Sequence, residues 1–243
     1  MTTLCFDFGN TRLKAAVFIK DELKEELFLT DDKEDTIELL LQKYQPAKTI
    51  LSSVINHNEA IEGLLASKSL FHKISHLTNI DFITPVGKPE TIGADRLALM
   101  SAAVHFYPQK NNLVIGLGSC ITYNFINQYH QFLGGSITPG MDMRFKSMHD
   151  YTAKLPIASA DWNFPLIGYD TKTNLQSGVI VGIINEIEGF IQKYSEKFNN
   201  FNVVLTGGNS TYFASQLKYK IFADHHFLFK GLYALSEINN CRA

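Results

Sequence analysis

Apolar and polar positions along the chain switch between a strand period and a helix period. Residues 4–8 form a short apolar run, Gly9-Asn10-Thr11 has turn chemistry, and residues 14–19 are apolar again. Asp21-Glu22 makes a polar tip before 23–29, so the first thirty residues predict strand, turn, strand, turn, strand. Between residues 33 and 44, Ile37, Leu40 and Leu41 fall at helical spacing, and Pro46 follows. Residues 49–54 predict a buried strand, 59–66 a helix, and 93–106 a second helix that ends before Pro108.

The pattern then starts over. Residues 113–117 are apolar, Gly118-Ser119 is a turn, 121–126 predict a strand, and 131–137 return through Gly134-Gly135 after the Asn127-Gln128 tip. A long helix over about 173–198 carries a stripe of Val179, Ile183, Ile187 and Ile191. Residues 203–205 predict a strand ending in Thr206-Gly207-Gly208, and a further helix begins after Asn209. A strand meander with a small-residue first turn, followed by helices, thus occurs twice. Repetition at half-chain length points to two similar lobes, not a solenoid. The polar stretch 109–112 places the expected boundary, giving lobes 1–110 and 111–243.

Composition narrows the partners. With 45% hydrophobic residues the chain can fill a sizeable core. A net charge of −2 and a pI near 6.4 give no footprint for duplex nucleic acid or an anionic membrane. Cys5, Cys120 and Cys241 are far apart and form no CxxC pair, the usage of a reducing compartment. The N-terminus lacks a basic signal-peptide region and no apolar run reaches the ~20 residues of a membrane span, so the cytoplasm is the expected address. The 18 phenylalanines read as core, not as a base-stacking surface.

Three groups of residues could carry chemistry. Asp7-Phe8-Gly9-Asn10-Thr11-Arg12-Leu13-Lys14 sets a carboxylate at a strand end before a small polar turn. Backbone N–H groups, the Asn10 amide, the Thr11 hydroxyl and the Lys14 charge could cradle a phosphate, with Asp7 a ligand for Mg²⁺. An ordinary hairpin turn accounts for the same residues. Gly93-Ala94-Asp95-Arg96 opens the second helix, where Asp95 suits the helix dipole. Arg96 does not suit it, and a ligand carboxylate gripped by Arg96 beside a proton-accepting Asp95 would explain both. The glycine stretches at 116–119, 134–135, 139–140 and 206–208 are expected to line a cleft with backbone from strand ends. Histidines do not stand out as metal ligands: Ser75-His76-Leu77 reads as strand, and His225-His226 is a local pair with Asp224 alongside, where a zinc site wants three or four convergent ligands. Ser52-Ser53 lacks a nucleophile-elbow setting.

Taken in order, these motifs resemble the type III pantothenate kinases, which include the Bvg accessory factor. The resemblance rests on residues 7–14, Gly93-Ala94-Asp95-Arg96-Leu97-Ala98 and Gly134-Gly135-Ser136-Ile137-Thr138-Pro139-Gly140-Met141. Thr152-Ala153-Lys154-Leu155-Pro156, Ile167-Gly168-Tyr169-Asp170-Thr171, Gln176-Ser177-Gly178 and Leu205-Thr206-Gly207-Gly208-Asn209 follow in register. It implies an α/β fold of two RNase H-like lobes of the actin-like, sugar-kinase and Hsp70 type, with a nucleotide cleft between them. It also implies ATP-dependent phosphorylation of pantothenate, the first step of coenzyme A synthesis. Asp95 then matches the general base, and Gly93, Ala94, Arg96 and Thr171 match pantothenate contacts. Residues Asp7, Phe8, Gly9, Asn10, Thr11, Arg12, Leu13 and Lys14, with Ser119, match the ATP site. Mg²⁺, a monovalent cation (K⁺ or NH₄⁺) and a homodimer are implied as well.

Two departures keep other readings open. The family's second phosphate motif reads Asp-x-Gly-Thr-Ala, its Asp associated with the monovalent cation; here Gly116-Leu117-Gly118-Ser119-Cys120 keeps a hydroxyl but has no carboxylate. The substrate-facing Tyr of the family is Val86 in an ungapped alignment of 85–93. A nucleotide-binding, catalytically weak regulator is therefore one alternative, and another small-molecule kinase of the superfamily is a second.

Overall fold

The computed structural model describes residues 1–84 and 87–240; Val86 and Cys241 lie outside the described residues. The chain divides into two compact units: Met1–Gln109, Ile126–Leu133 and His226–Ala243 form the first, and Lys110–Phe125 and Gly134–His225 the second.

The first sheet begins with the expected meander, β1 (Thr2–Phe8), β2 (Leu13–Ile19) and β3 (Glu22–Leu29). After α1 (Glu34–Tyr44), β4 (Lys48–Ser53) pairs parallel to β1; after α2 (Ala60–Lys68), β5 (Leu70–Lys73) pairs parallel to β4. The order is β3-β2-β1-β4-β5. Leu4, Phe6 and Phe8 alternate onto one face and pack with Ile37, Leu41, Ile61 and Leu65 of the two helices. A single-turn 3₁₀ helix (Pro89–Thr91) precedes α3 (Ala94–Phe106). Nine of the thirteen residues of α3 are buried, because α7 (Phe227–Asn239) covers the side of α3 that β4 does not. The two helices approach closely at Gly231, where any Cβ would fall inside the Ala98 carbonyl.

The second sheet repeats the plan with β6 (Asn111–Leu117), β7 (Cys120–Ile126) and β8 (Phe132–Pro139), then α4 (Met141–Asp150), α5 (Thr171–Ser195), β9 (Phe201–Gly207), α6 (Ser210–Gln216) and β10 (Phe222–Ala223). Its order, β10-β9-β6-β7-β8, is that of the first sheet read from the other edge. The α5 stripe of Val179, Ile183, Ile187 and Ile191 is buried against Leu113, Ile115, Val203 and Leu205. A reciprocal capping box between Asp170 and Thr173 starts this helix at Thr171, two residues before the expected start.

The structure corrects several local expectations. Ser75-His76-Leu77 is a turn, not a strand: Thr78 Oγ1 accepts from Ser75 N at 2.9 Å and closes it, and the strand lies upstream at β5. Gly116 lies within β6, and Gly134-Gly135 within β8, so neither is a strand-end turn. The helices α4 and α7 and the strands β5 and β10 come in addition to the predicted elements.

Candidate functional site

Hairpin register builds the centre of the first unit. Asp7, the penultimate residue of β1, stands opposite Lys14 on β2 and Ser52 on β4. Between them the chain turns at Gly9, whose N–H donates to the Arg12 carbonyl at 3.1 Å, leaving Asn10, Thr11 and Arg12 exposed. Phe8 points into the core with no exposed surface, so only its backbone is available to a ligand. Lys14 Nζ donates to Glu26 Oε1 at 2.7 Å, with 23% and 15% of the two side chains exposed. Lys14 Nζ and Arg12 Cζ lie 5.2 and 5.5 Å from the centre of the Phe28 ring.

Asp95 belongs to the same electrostatic group. Gly93 caps α3 and accepts from Arg96 N at 3.0 Å and Leu97 N at 3.2 Å. The Asp95 carboxylate folds back over this helix start, so that a Cβ on Gly93 would meet its Oδ1 at 2.6 Å. Burial pushes the Asp95 carboxyl above its ordinary value, partly offset by the Arg96 N–H and guanidinium. Burial, together with the negative charges of Asp95 and Glu26, pushes Asp7 up to about 7, with Lys14 and the Ser52 hydroxyl acting the other way. Ser52 Oγ is buried and lacks a hydrogen-bond partner of ordinary length. Asp7 thus lies within electrostatic reach of two further carboxylates, Asp95 and Glu26, and of the Lys14 ammonium, and a hard cation such as Mg²⁺ held by its oxygens would relieve that repulsion. Arg96 stacks over the Phe132 ring at 5.4 Å from its centre, and Phe82 packs edge-on against the same ring.

In the second unit, Ser119 sits in the β6–β7 turn and is partly exposed. Gly207 ends β9 at φ 104°, packed on the Leu117 carbonyl too closely for any side chain. Gly116 pairs with Thr206, whose hydroxyl is buried and without a hydrogen-bond partner. Position 116 supplies no charged oxygen, so the family's carboxylate-based monovalent-cation site does not fit these residues. Thr171, at the start of α5, borders a cavity of about 340 Å³ with Met148, Leu155, Asn174, Leu175 and Gly178. Three of the sequence motifs, at 152–156, 167–171 and 176–178, meet there. Glu186, inside α5, accepts from Thr138 Oγ1 (2.7 Å), Tyr123 Oη (2.8 Å) and Arg144 Nη2 (2.6 Å). Burial would raise the Glu186 carboxyl, but these three donors outweigh it and hold it below the usual range. They tie the glycine-rich segment of β8 and α4 to α5.

Two arrangements escaped sequence reasoning. The Lys14–Glu26 pair joins strands twelve residues apart, and Glu26 reads locally as one of several polar strand residues. Ser53, His57 and Glu62 also align, with Ser53 Oγ 2.8 Å from His57 Nδ1 and His57 Nε2 2.9 Å from Glu62 Oε1. Lys73 donates to the same Glu62 oxygen at 2.7 Å and Ser53 Oγ donates to the Ile55 carbonyl, so the row fastens the β4–α2 loop.

Comparison with known proteins decides among kinases sharing this architecture. The sequence model of the family "Type III pantothenate kinase" matches residues 3–193. The chain belongs to the type III pantothenate kinase family. It is 40% identical to the type III pantothenate kinase of Christiangramia forsetii, over 97% of this chain and 98% of that one. The type III pantothenate kinase of Flavobacterium johnsoniae is 38% identical, over 94% and 95%. Among solved structures, a Baf family protein from Campylobacter jejuni, described as a transcriptional activator, superposes with a TM-score of 0.61 at 21% identity, covering 97% and 98%. A ROK family protein from Streptococcus pneumoniae TIGR4 in complex with sucrose gives 0.54 at 12% identity, covering 99% and 100%. These two show the fold alone, two actin-like α/β lobes.

Proposed function

We propose that this chain transfers the γ-phosphoryl group of ATP to the primary hydroxyl of pantothenate, giving 4′-phosphopantothenate and ADP in the first step of coenzyme A synthesis. The observation that supports it best is the Asp95 carboxylate folded over the start of α3 with Arg96 next to it, in a family member whose relatives carry that name. In this reading Asp95 takes the hydroxyl proton as the substrate oxygen bonds to the γ-phosphorus, and the bond from that phosphorus to the bridging oxygen breaks to release ADP. Burial raises the proton affinity of Asp95 and so improves it as a base. Arg96, steadied on Phe132, grips the substrate carboxylate. Residues 9–14 hold the phosphates of ATP, and Ser119 is a further ATP contact. Asp7, with Asp95 near, would hold Mg²⁺, which when bound supplies charge neutralisation to the phosphates.

A homodimer is part of the same proposal. Residues 151–170 expose Tyr151, Ile157, Leu166, Ile167 and Tyr169, apolar surface that a second copy would cover. Cytoplasmic residence is supported by the free thiols Cys5 and Cys120.

The test couples ADP release to pantothenate. ADP should form only when pantothenate is present, and Asp95→Asn should lower kcat by at least about 10²-fold while leaving ATP binding in place. Pantothenate-independent ADP release, or an Asn variant above a tenth of wild-type activity, would remove the assignment. Light scattering at micromolar concentration should give twice the chain mass, and a monomer would refute the dimer.

A further inference from the structure

Building on the phosphate-cradle reading of residues 9–14, we propose that Glu26 and Phe28 of β3 are positioning residues that hold Lys14 ready for the phosphates of ATP. Lys14 has two carboxylates within electrostatic reach, Asp7 directly across the β1–β2 ladder and Glu26 on β3. Glu26 makes the ion pair, at 2.7 Å. Its second oxygen, Oε2, lies 3.5 Å from His226 Nε2 at the start of α7, so the carboxylate is flanked on both sides and has little freedom to turn. Phe28 lies two residues further along β3, on the same face. It is 61% exposed, an unusual place for a phenylalanine, and the cationic groups of both Arg12 and Lys14 rest near its ring.

This arrangement divides the labour between two acids. A lysine free to swing would pair with Asp7 and neutralise the carboxylate assigned to Mg²⁺. Held by Glu26, Lys14 keeps its direction, and the Asp7 oxygens stay free of an ion pair. An ammonium fixed before the nucleotide arrives loses no orientation when it binds, which is where positioned groups gain most of their effect. The face of β3 therefore serves the phosphate turn although it contains none of the residues of that turn.

The full-length protein tests this with a double-mutant cycle of Glu26→Gln and Lys14→Met. Glu26→Gln should lower kcat by about 10- to 100-fold, with the pantothenate KM unchanged. In the Lys14→Met background the same substitution should cause no further loss, since no ammonium remains to be held. Phe28→Leu should lower kcat in the same direction, and Phe28→Tyr should restore it. Wild-type kcat in Glu26→Gln, or an equal loss in both Lys14 backgrounds, would overturn the proposal. The cycle is also run on ATP affinity by equilibrium dialysis. A wild-type chain that binds ATP but does not phosphorylate pantothenate fails the functional reading only, whereas additivity of the two substitutions in ATP affinity fails the positioning role itself.

Discussion

Replacing Asp7 by Asn should change how stability depends on pH, in a direction fixed by the charges around it. In the ligand-free protein, burial and the neighbouring Asp95 and Glu26 raise the Asp7 carboxyl from 3.8 to about 7. The folded protein therefore binds this proton more tightly than the unfolded chain does. Below about pH 4 both states carry it and the group has no effect on folding. As pH rises toward 7 the unfolded chain releases the proton while the folded protein keeps it, so unfolding becomes progressively easier, and above 7 the full penalty applies. A shift of about three pH units corresponds to about 4 kcal/mol. Asn has no proton to release and lacks this slope. A chain of this size shifts its melting temperature by roughly 2–4 °C per kcal/mol, so Asp7→Asn should gain about 10 °C on wild type between pH 4.5 and pH 8. Fluorescence melts in EDTA at constant ionic strength measure the gap. Adding Mg²⁺ at pH 8 should close much of it, because only the carboxylate gains a partner. Parallel profiles for the two proteins in EDTA would refute the reasoning, since they would mean that Asp7 titrates alike in the folded and unfolded states.

Wild-type turnover should depend little on K⁺, because position 116 offers no carboxylate, and Gly116→Asp should raise that dependence. Gly116 is in β6 and is not among the described glycines with positive φ, so φ sets no strain against a side chain, and Thr206 offers a partnerless hydroxyl in register with it; rates in KCl against NaCl at matched ionic strength check this, and a steep rise with K⁺ in wild type would contradict it. Gly231→Ala should destabilise the first unit by about 1–3 kcal/mol, because the new methyl meets the Ala98 backbone, which has no way to yield without moving α3. Urea unfolding followed by tryptophan-independent circular dichroism reads the loss, and an unchanged midpoint would show that the two helices separate freely.

Local chemistry carried the sequence reading as far as local chemistry decides structure. The meander of β1 to β3 was legible because alternation and turn residues are properties of adjacent positions, and α5 because its stripe repeats within one helix. The turn after β1 and the start of α3 carry their residue types next to one another, so both motifs stood out. What failed was tertiary. The turn at Ser75 depends on a side-chain bond from Thr78 that competes with strand hydrogen bonding, and apolar pattern does not report such a bond. Glu26 is one of three glutamates in β3, and only the fold selects it, since reaching Lys14 requires the diagonal between neighbouring strands. The proton affinity of Asp7 is the sharpest case. It comes from Asp95 on α3, Glu26 on β3, Lys14 on β2 and Ser52 on β4, acting together on a carboxyl that burial has already weakened as an acid. None of these residues signals its effect on the others in sequence. A motif therefore identifies which group can do the chemistry, while the strength of that group as an acid or base is set by residues outside the motif.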